Sequence, residues 1–528
     1  MIKIINSLIV ILIHVIILSL IVRNFVFSQF KNIIVNNDPT TSEVHIALNP
    51  NNVNELVAGA NIDKVFTSNN GGSTWNTANI ISKYGVWGDP FILSVYKNNF
   101  YYFHLSYSNK SNKTTWLDRI ICQKSFDKGQ TWETESATGY DDKFPLRDQD
   151  KEWGCIDLSN GKYSGNIYLT WTQFDEYSSN KPNDSSNIMF SKSTDSGNSW
   201  SISKRINDKS GSCLDGDDAT EGASPAVDSE GNLYVVWAYN QKLFFDKSID
   251  GGETWLNNDI VISDQKGGWD YLVSGLQRCN GLPSISVDNS NSVYKGTIYV
   301  SWTDQRNGVD NPDVWLIKSV DKGLTWSKPI IVNNDLTKKA QFFSSMTLDQ
   351  SNGKIHIIFY DRRSSINDAT DVYLATSTDG GDNFNNIKIS ESSFTPDKSI
   401  FLGDYIGVTA YKDIIYGIWT RIENNKTSIL SVRINQSTND IVQSGSTDLF
   451  FEINSKNIRF EQKVNSLVSI NIYDELGRIV CEVCTNKFFA KGFHEIQNRE
   501  IDKLKGCYFV KVKLGIINKV YKINLNNL

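Results

Sequence analysis

The chain has 528 residues, 40% hydrophobic and 12% aromatic, with 53 Lys and Arg against 59 Asp and Glu and a net charge of −6. This composition excludes a disordered or fibrous chain, and its acidic balance offers no surface for a nucleic-acid backbone or an anionic membrane. Seven cysteines, an odd number, are too few for a disulfide scaffold.

Residues 1–28 hold no acid, one early Lys3 and an apolar run from Leu8 to Val22, with Val26 and Ser28 at the small-residue positions before Gln29. The pattern predicts a cleaved signal peptide and hence export, with an uncleaved anchor as the alternative. Removing Lys3 and Arg23 takes the net charge from −6 to −8.

From residue 68 an octapeptide of the form Ser-x-Asp-x-Gly-x-Thr-Trp recurs six times at intervals of 55 to 71 residues. Its acidic position is Asn70, Asp127, Asp195, Asp250, Asp321 and Asp379, and its last residue is Trp75, Trp132, Trp200, Trp255, Trp326 and Phe384. The chemistry is that of a hairpin turn. The carboxylate accepts turn N–H groups, the Gly supplies a positive φ, and the aromatic ring packs between sheets. These six positions are therefore structural rather than catalytic.

Upstream of each box two β-rich runs repeat, as in Ser284-Ile285-Ser286-Val287 followed by Gly296 to Trp302. Each unit predicts four short antiparallel strands with the box between the third and fourth. A seventh unit, Tyr405 to Val432, has no box and lacks a fourth strand, which Lys31 to Val35 supplies by closing the ring. The predicted fold class is all-β: a seven-bladed β-propeller over 29–440, with six blades as the alternative, followed by a small β-sandwich over 445–528. Cys213 and Cys279 flank one unit and are candidates for a bridge, whereas the lone Cys481-x-x-Cys484 lacks the second pair of a zinc site.

Ligands of such a ring gather on the face opposite the boxes, where the loops leading into each first strand meet those between second and third strands. The former loops carry Asp89, Asp150, Glu221, Asp404 and Tyr405. The latter carry Arg306, Arg363 and Arg421, whose guanidiniums suit a carboxylate ligand. Two of these arginines repeat an Asp-x-Arg element followed by Asp313 or Asp371, so an architectural ion pair competes with ligand binding, and Glu423 stands near Arg421. Asp89, Asp150 and Asp404 read also as a ring of loop-fixing acids. Asp215, Asp217 and Asp218 offer oxygen ligands for Ca²⁺. No other cofactor is implied, and His45, His104 and His356 lie in apolar strands as core or pore residues.

The boxes resemble those of the sialidase superfamily, often called bacterial neuraminidase repeats, over roughly residues 42–435. The resemblance implies a Tyr nucleophile activated by a Glu, an Asp acid/base and three Arg on the substrate carboxylate. It points to Tyr405 with Glu221, to Asp404 and Asp150 as further catalytic carboxylates, and to Asp89, Arg306, Arg363 and Arg421 on the substrate. Glu43-Val44-His45-Ile46 stands where sialidases place an Arg-Ile-Pro-like motif, and no Arg occurs between Arg23 and Arg119.

Residues 445–528 resemble the C-terminal sorting domain of the type IX secretion system, through Ile470 to Arg478, Gly492-Phe493-His494, Gly506 to Val512 and Lys522-Ile523. Together the two resemblances imply a monomer delivered by type IX secretion machinery to the cell surface or medium. There it engages extracellular glycan or glycoprotein as a divergent exo-sialidase-like glycoside hydrolase, with a non-catalytic binding or adhesion propeller as the alternative.

Overall fold

The structure, a computed structural model, describes residues 30–95, 99–107, 116–140, 147–365, 367–436, 451–453, 457–462, 466–474, 477–490, 492–497, 500–504, 506–514 and 517–525. The expected signal peptide lies outside these residues. The chain divides into two compact units, Met1–Ile441 and Val442–Leu528.

In the larger unit the described strands form seven four-stranded antiparallel sheets. Their first strands are His45–Asn49, Gly88–Val95, Asp148–Ile156, Glu221–Val227, Ser284–Val287, Gln341–Asp349 and Gly407–Tyr411. Each first strand packs beside the first strand of the next sheet, and the seventh packs against the first, so the sheets close into a ring around an axis lined by first strands. This is a β-propeller. The ring is sealed by Asn32–Asn36, which pairs antiparallel with Lys426–Asn435 as the outermost strand of the seventh sheet, Asn32 opposite Val432 and Ile34 opposite Leu430. Closure in this way removes a free sheet edge that would otherwise template pairing with another chain.

The second strand of each sheet is covered on both faces by neighbouring sheets, so its sequence loses the apolar–polar alternation of a half-exposed strand. All eight residues of Ile167–Phe174 and all seven of Ile298–Asp304 are buried. Trp171, Trp237, Trp302 and Trp419 occupy these second strands and are wholly buried. The boxes follow the third strands. In the third sheet Asp195 accepts bonds from the Ser193 hydroxyl at 2.8 Å, the Ser199 N–H at 2.9 Å and the Ser199 hydroxyl at 2.6 Å. These donors draw its carboxyl down to about 2, the Ser199 hydroxyl contributing most. Three box Trp rings then reach back onto the preceding sheet: Trp200 meets Phe103 at 5.9 Å, Trp255 meets Phe190 at 5.0 Å and Trp326 meets Phe245 at 5.2 Å.

Cys213 and Cys279 carry free thiols. Cys213 packs in the interior with Ala219 and Trp269, while Cys279 sits at the wall of the axial cavity, so the bridge considered from sequence does not form. The smaller unit has a three-stranded sheet, Phe451–Ile453, Asn457–Gln462 and Gly492–Gln497, and a four-stranded sheet, Ile479–Phe489, Ser466–Tyr473, Gly506–Leu514 and Ile517–Leu525. Ile458 and Phe460 of the first share one core with Val468, Ile470, Val510 and Val512 of the second. No disulfide joins Cys481 to Cys484.

Candidate functional site

A cavity of about 450 Å³ opens at the axis, on the face away from the boxes. Its wall includes Asp89, Asp150, Glu221, Asp404 and Tyr405, five residues read from sequence as neighbours in space although they come from four different sheets and span more than 300 positions. The wall also holds Lys151, Tyr177, Asp215, Asp270, Arg278 and His45, together with the rings of Trp153, Trp269 and Phe343.

The acids are placed by a repeated backbone device. In the second, third, fourth and sixth sheets the pairing between first and second strands slips, between Gly88 and Phe91, Asp150 and Trp153, Glu221 and Ser224, and Phe342 and Ser345. Such bulges bend a strand and re-aim its side chains. The residue just past each break has a positive φ: Asp89 at 55°, Lys151 at 26°, Gly222 at 75° and Phe343 at 50°.

Within the cavity the Tyr405 hydroxyl donates to Asp89 Oδ1 at 3.1 Å. Lys151 stands 4.1 Å above the Tyr405 ring and reaches the Asp89 carbonyl at 3.4 Å. Burial, followed by the charges of Asp89 and Glu43, raises the Tyr405 phenol well above its ordinary value, so it is held protonated. The Tyr405–Glu221 pair expected from the family resemblance is not formed: Glu221 Oε1 accepts instead from the Thr172 hydroxyl at 2.9 Å, and Oε2 is buried with no partner. Burial and then the neighbouring charges of Asp150 and Asp215 push the Glu221 carboxyl well upward. Asp150 is raised in the same way by burial, Asp89 and Asp215.

Asp404 belongs to a second group. Its carboxylate takes both arms of Arg278, with Nε at 2.9 Å from Oδ1, and Asn280 holds its carbonyl at 2.9 Å. Behind it lies Glu43, raised by burial and by Asp89 and Asp404, whose retained proton bonds to Asp404. Asn61 ties this pair to the first by donating to Glu43 and accepting the Asp89 N–H at 2.8 Å. His45 accepts the Ile92 N–H on Nδ1 at 3.2 Å, which places its proton on Nε2, and burial followed by Lys151 lowers it to about 3. The ring is thereby held neutral.

The three arginines expected on the substrate are not at the cavity. Arg306 forks onto Asp304 at 2.9 Å and stacks on Trp315 at 4.5 Å. Arg363 bonds Asp361 at 2.8 Å, Asn334 at 2.7 Å and Asn386 at 3.0 Å. Arg421 bonds Glu423 at 2.7 Å and lines a separate groove with Phe394 and Pro396. In each case a carboxylate two residues away at the same strand end captures the guanidinium. Of the proposed calcium ligands, Asp215 accepts the Tyr177 hydroxyl at 2.6 Å and Asp217 accepts the Asp270 N–H at 2.9 Å. Among the described residues no group of three or more His, Cys, Asp or Glu is arranged to hold a metal.

Sequence reasoning missed Arg278. It lies in the longest interval between boxes, where an extra ribbon pairs Asp270–Tyr271 with Cys279–Asn280. That excess length was the available signal. Tyr177 sits likewise in the loop after Ile167–Phe174, and its ring carried no mark in the sequence.

No protein-family model and no curated protein matches the chain. Among solved structures, the Hadza microbial sialidase Hz136 is 14% identical, covering 72% of this chain and 73% of its own, with a TM-score of 0.42. A variant of the NanB sialidase from Streptococcus pneumoniae is 11% identical, covering 66% and 68%, with a TM-score of 0.42. A variant of the α-L-arabinofuranosidase arb93a from Fusarium graminearum is 12% identical, covering 77% and 98%, with a TM-score of 0.43. Likenesses at this level carry no functional assignment.

Proposed function

We propose that this chain is an exported seven-bladed, sialidase-like propeller whose axial cavity is the active site of a glycoside hydrolase acting on uncharged extracellular glycan. The observation that carries the reading is the convergence of Asp89, Asp150, Glu221 and Tyr405 in one cavity of about 450 Å³. Glycosidic cleavage needs a carboxyl that keeps its proton for the leaving oxygen and a second group able to act as base or nucleophile. Glu221, desolvated and beside Asp150, fits the acid. Tyr405 bonded to Asp89 fits the other role, with Asp89 placed to take the phenolic proton as the ring oxygen attacks.

The charge balance selects the substrate class. The cations at the cavity wall among the described residues are Arg278, captured by Asp404, and Lys151, seated over Tyr405. A sialic acid carboxylate would meet a wall of acids with no uncommitted guanidinium, whereas a neutral sugar finds acceptors for its hydroxyls and aromatic faces for its ring. The apolar run Leu8 to Val22 supports export. The seven four-stranded sheets support the blade number and the paired sheets of the C-terminal unit support a β-sandwich, while its sorting-domain role rests on the stretches Ile470 to Arg478 and Gly506 to Val512.

The test is turnover of a panel of fluorogenic glycosides, including neutral furanosides and pyranosides and one sialoside, by the full chain and by Glu221→Gln. Hydrolysis of a neutral member with kcat reduced about 100-fold or more in the variant is expected. Turnover of the sialoside alone overturns the substrate class. A folded wild type that turns over none of the panel overturns the hydrolase and leaves a glycan-binding propeller.

A further inference from the structure

Beside the cavity the second and third sheets carry a row of aromatic rings that the proposed chemistry does not use. Trp87 meets Tyr107 at 4.7 Å between centroids and Trp116 edge-on at 5.8 Å. Trp116 in turn meets Tyr177 edge-on at 6.0 Å, and Tyr177 is part of the cavity wall, fixed there by its bond to Asp215. The row therefore runs outward from the cavity without a break. It stands at the same end of the sheets as the acids, because Trp87 lies two residues before Asp89.

The segment carrying Trp87 is fixed by backbone bonds. The Trp87 N–H donates to the Leu105 carbonyl at 2.9 Å and the Tyr107 N–H to the Tyr84 carbonyl at 2.9 Å, so the segment carrying Trp87 is clamped to the second strand. Trp87 nevertheless leaves 36% of its surface exposed. Among the described residues of this sheet, Arg119 is held between the rings of Tyr84 and Tyr140 at 4.5 and 4.0 Å and is neutralised by Asp118 at 3.0 Å. An aromatic surface continuous with a pocket of acids matches a chain whose units have apolar C–H faces and hydroxyl edges.

We propose that Trp87, Tyr107 and Trp116 form an extension subsite that holds the second and later sugar units of a neutral polysaccharide whose terminal unit enters the cavity. The inference rests on the glycan reading of the cavity and adds that the substrate is a polymer rather than a single capping sugar.

The test is native electrophoresis of the full chain through gels containing soluble arabinan, xylan or galactomannan, with near-ultraviolet circular dichroism to establish that each variant is folded. Retardation of the wild type by at least one polysaccharide is expected. Trp87→Ala weakens the apparent affinity about tenfold, and Trp87→Phe, which restores a ring face, recovers most of it. Retardation that depends on Trp87 in a chain without turnover leaves the subsite standing while the hydrolase reading falls. A wild type unretarded by all three, or one retarded no more than folded Trp87→Ala, overturns the subsite and reassigns the row to protein docking.

Discussion

Replacing Glu152 by Gln tests whether the buried acids around the axis are held against their own solvation. Glu152 lies in the bulge of the third sheet, is fully buried, and neither of its carboxylate oxygens has a hydrogen-bond partner. Burial pushes its carboxyl well above the ordinary value, with Lys151 opposing and Asp89 adding to the rise. The folded chain therefore keeps a proton that the unfolded chain has released above about pH 4.3. The sign follows. The contribution is fully present below the unfolded value and is lost as pH rises toward the folded one, by up to about 1.4 kcal/mol per pH unit for one group. Gln keeps the shape and cannot ionise, so it removes that slope while leaving an amide as poorly partnered as the neutral acid. Urea denaturation of the full chain at pH 5, 6 and 7 should show wild type losing stability as pH rises, and Glu152→Gln losing about 1.4 kcal/mol less per unit and being the more stable at pH 7. Parallel slopes, or a variant less stable than wild type at pH 7, would refute the reasoning.

Three further outcomes follow from the geometry. Arg306→Ala leaves the buried Asp304 without its fork and is expected to lower stability by about 2 kcal/mol, with glycoside kcat unchanged, as read by urea denaturation and turnover. Asp195→Ala removes the acceptor of one box turn, and its exposed setting limits the loss to about 1 kcal/mol by the same denaturation assay. Deleting 30–36 strips the closing strand from Lys426–Asn435 and uncovers a paired edge, so size-exclusion chromatography should show association of the truncated chain where the full chain elutes as one species.

The fold was legible because its determinants are local and repeated. A Ser, an Asp, a Gly and a Trp at fixed spacing specify a turn and a packed ring wherever they occur, and six copies fix the periodicity. The closing strand was legible because the seventh unit lacked a partner that only Lys31 to Val35 was left to supply. The cavity acids were half legible: Asp89, Asp150 and Glu221 lie at the start of first strands and Asp404 just before one, and such positions face the axis. Which of three consecutive residues, Asp150, Lys151 or Glu152, faces inward depends on a bulge that leaves no mark in the hydrophobic pattern. The arginines misled for a physical reason. A guanidinium at a strand end is captured by the nearest carboxylate, and Asp304, Asp361 and Glu423 are closer in the chain than any ligand could be. Arg278 was invisible because its role depends on Asp404, 126 residues away, across the axis.

The bulges also explain how a ring of near-identical sheets yields an asymmetric site. In the third and fourth sheets the acid, Asp150 or Glu221, precedes the break, whereas in the second sheet Asp89 is itself the displaced residue and Gly88 precedes it. The sixth sheet has the same break with Phe342 and Phe343 and contributes wall rather than charge. One backbone device thus presents carboxyls at two depths, and the depth decides the partner: Asp89 reaches the Tyr405 hydroxyl, while Glu221 stays back against Thr172 with an unpartnered oxygen. The non-glycine residues held at positive φ in these breaks each cost about 1–3 kcal/mol, and the unpartnered acids beside them cost more. In the boxes on the opposite face each box Asp is bonded within its turn, while the positive φ falls on two successive glycines in three boxes and on Lys128, Ser196 or Lys322 followed by glycine in the other three. The contrast between the two faces lies in the carboxyls: Asp150, Glu152 and Glu221 in the breaks are desolvated and raised, whereas the box aspartates are lowered by the donors of their own turns.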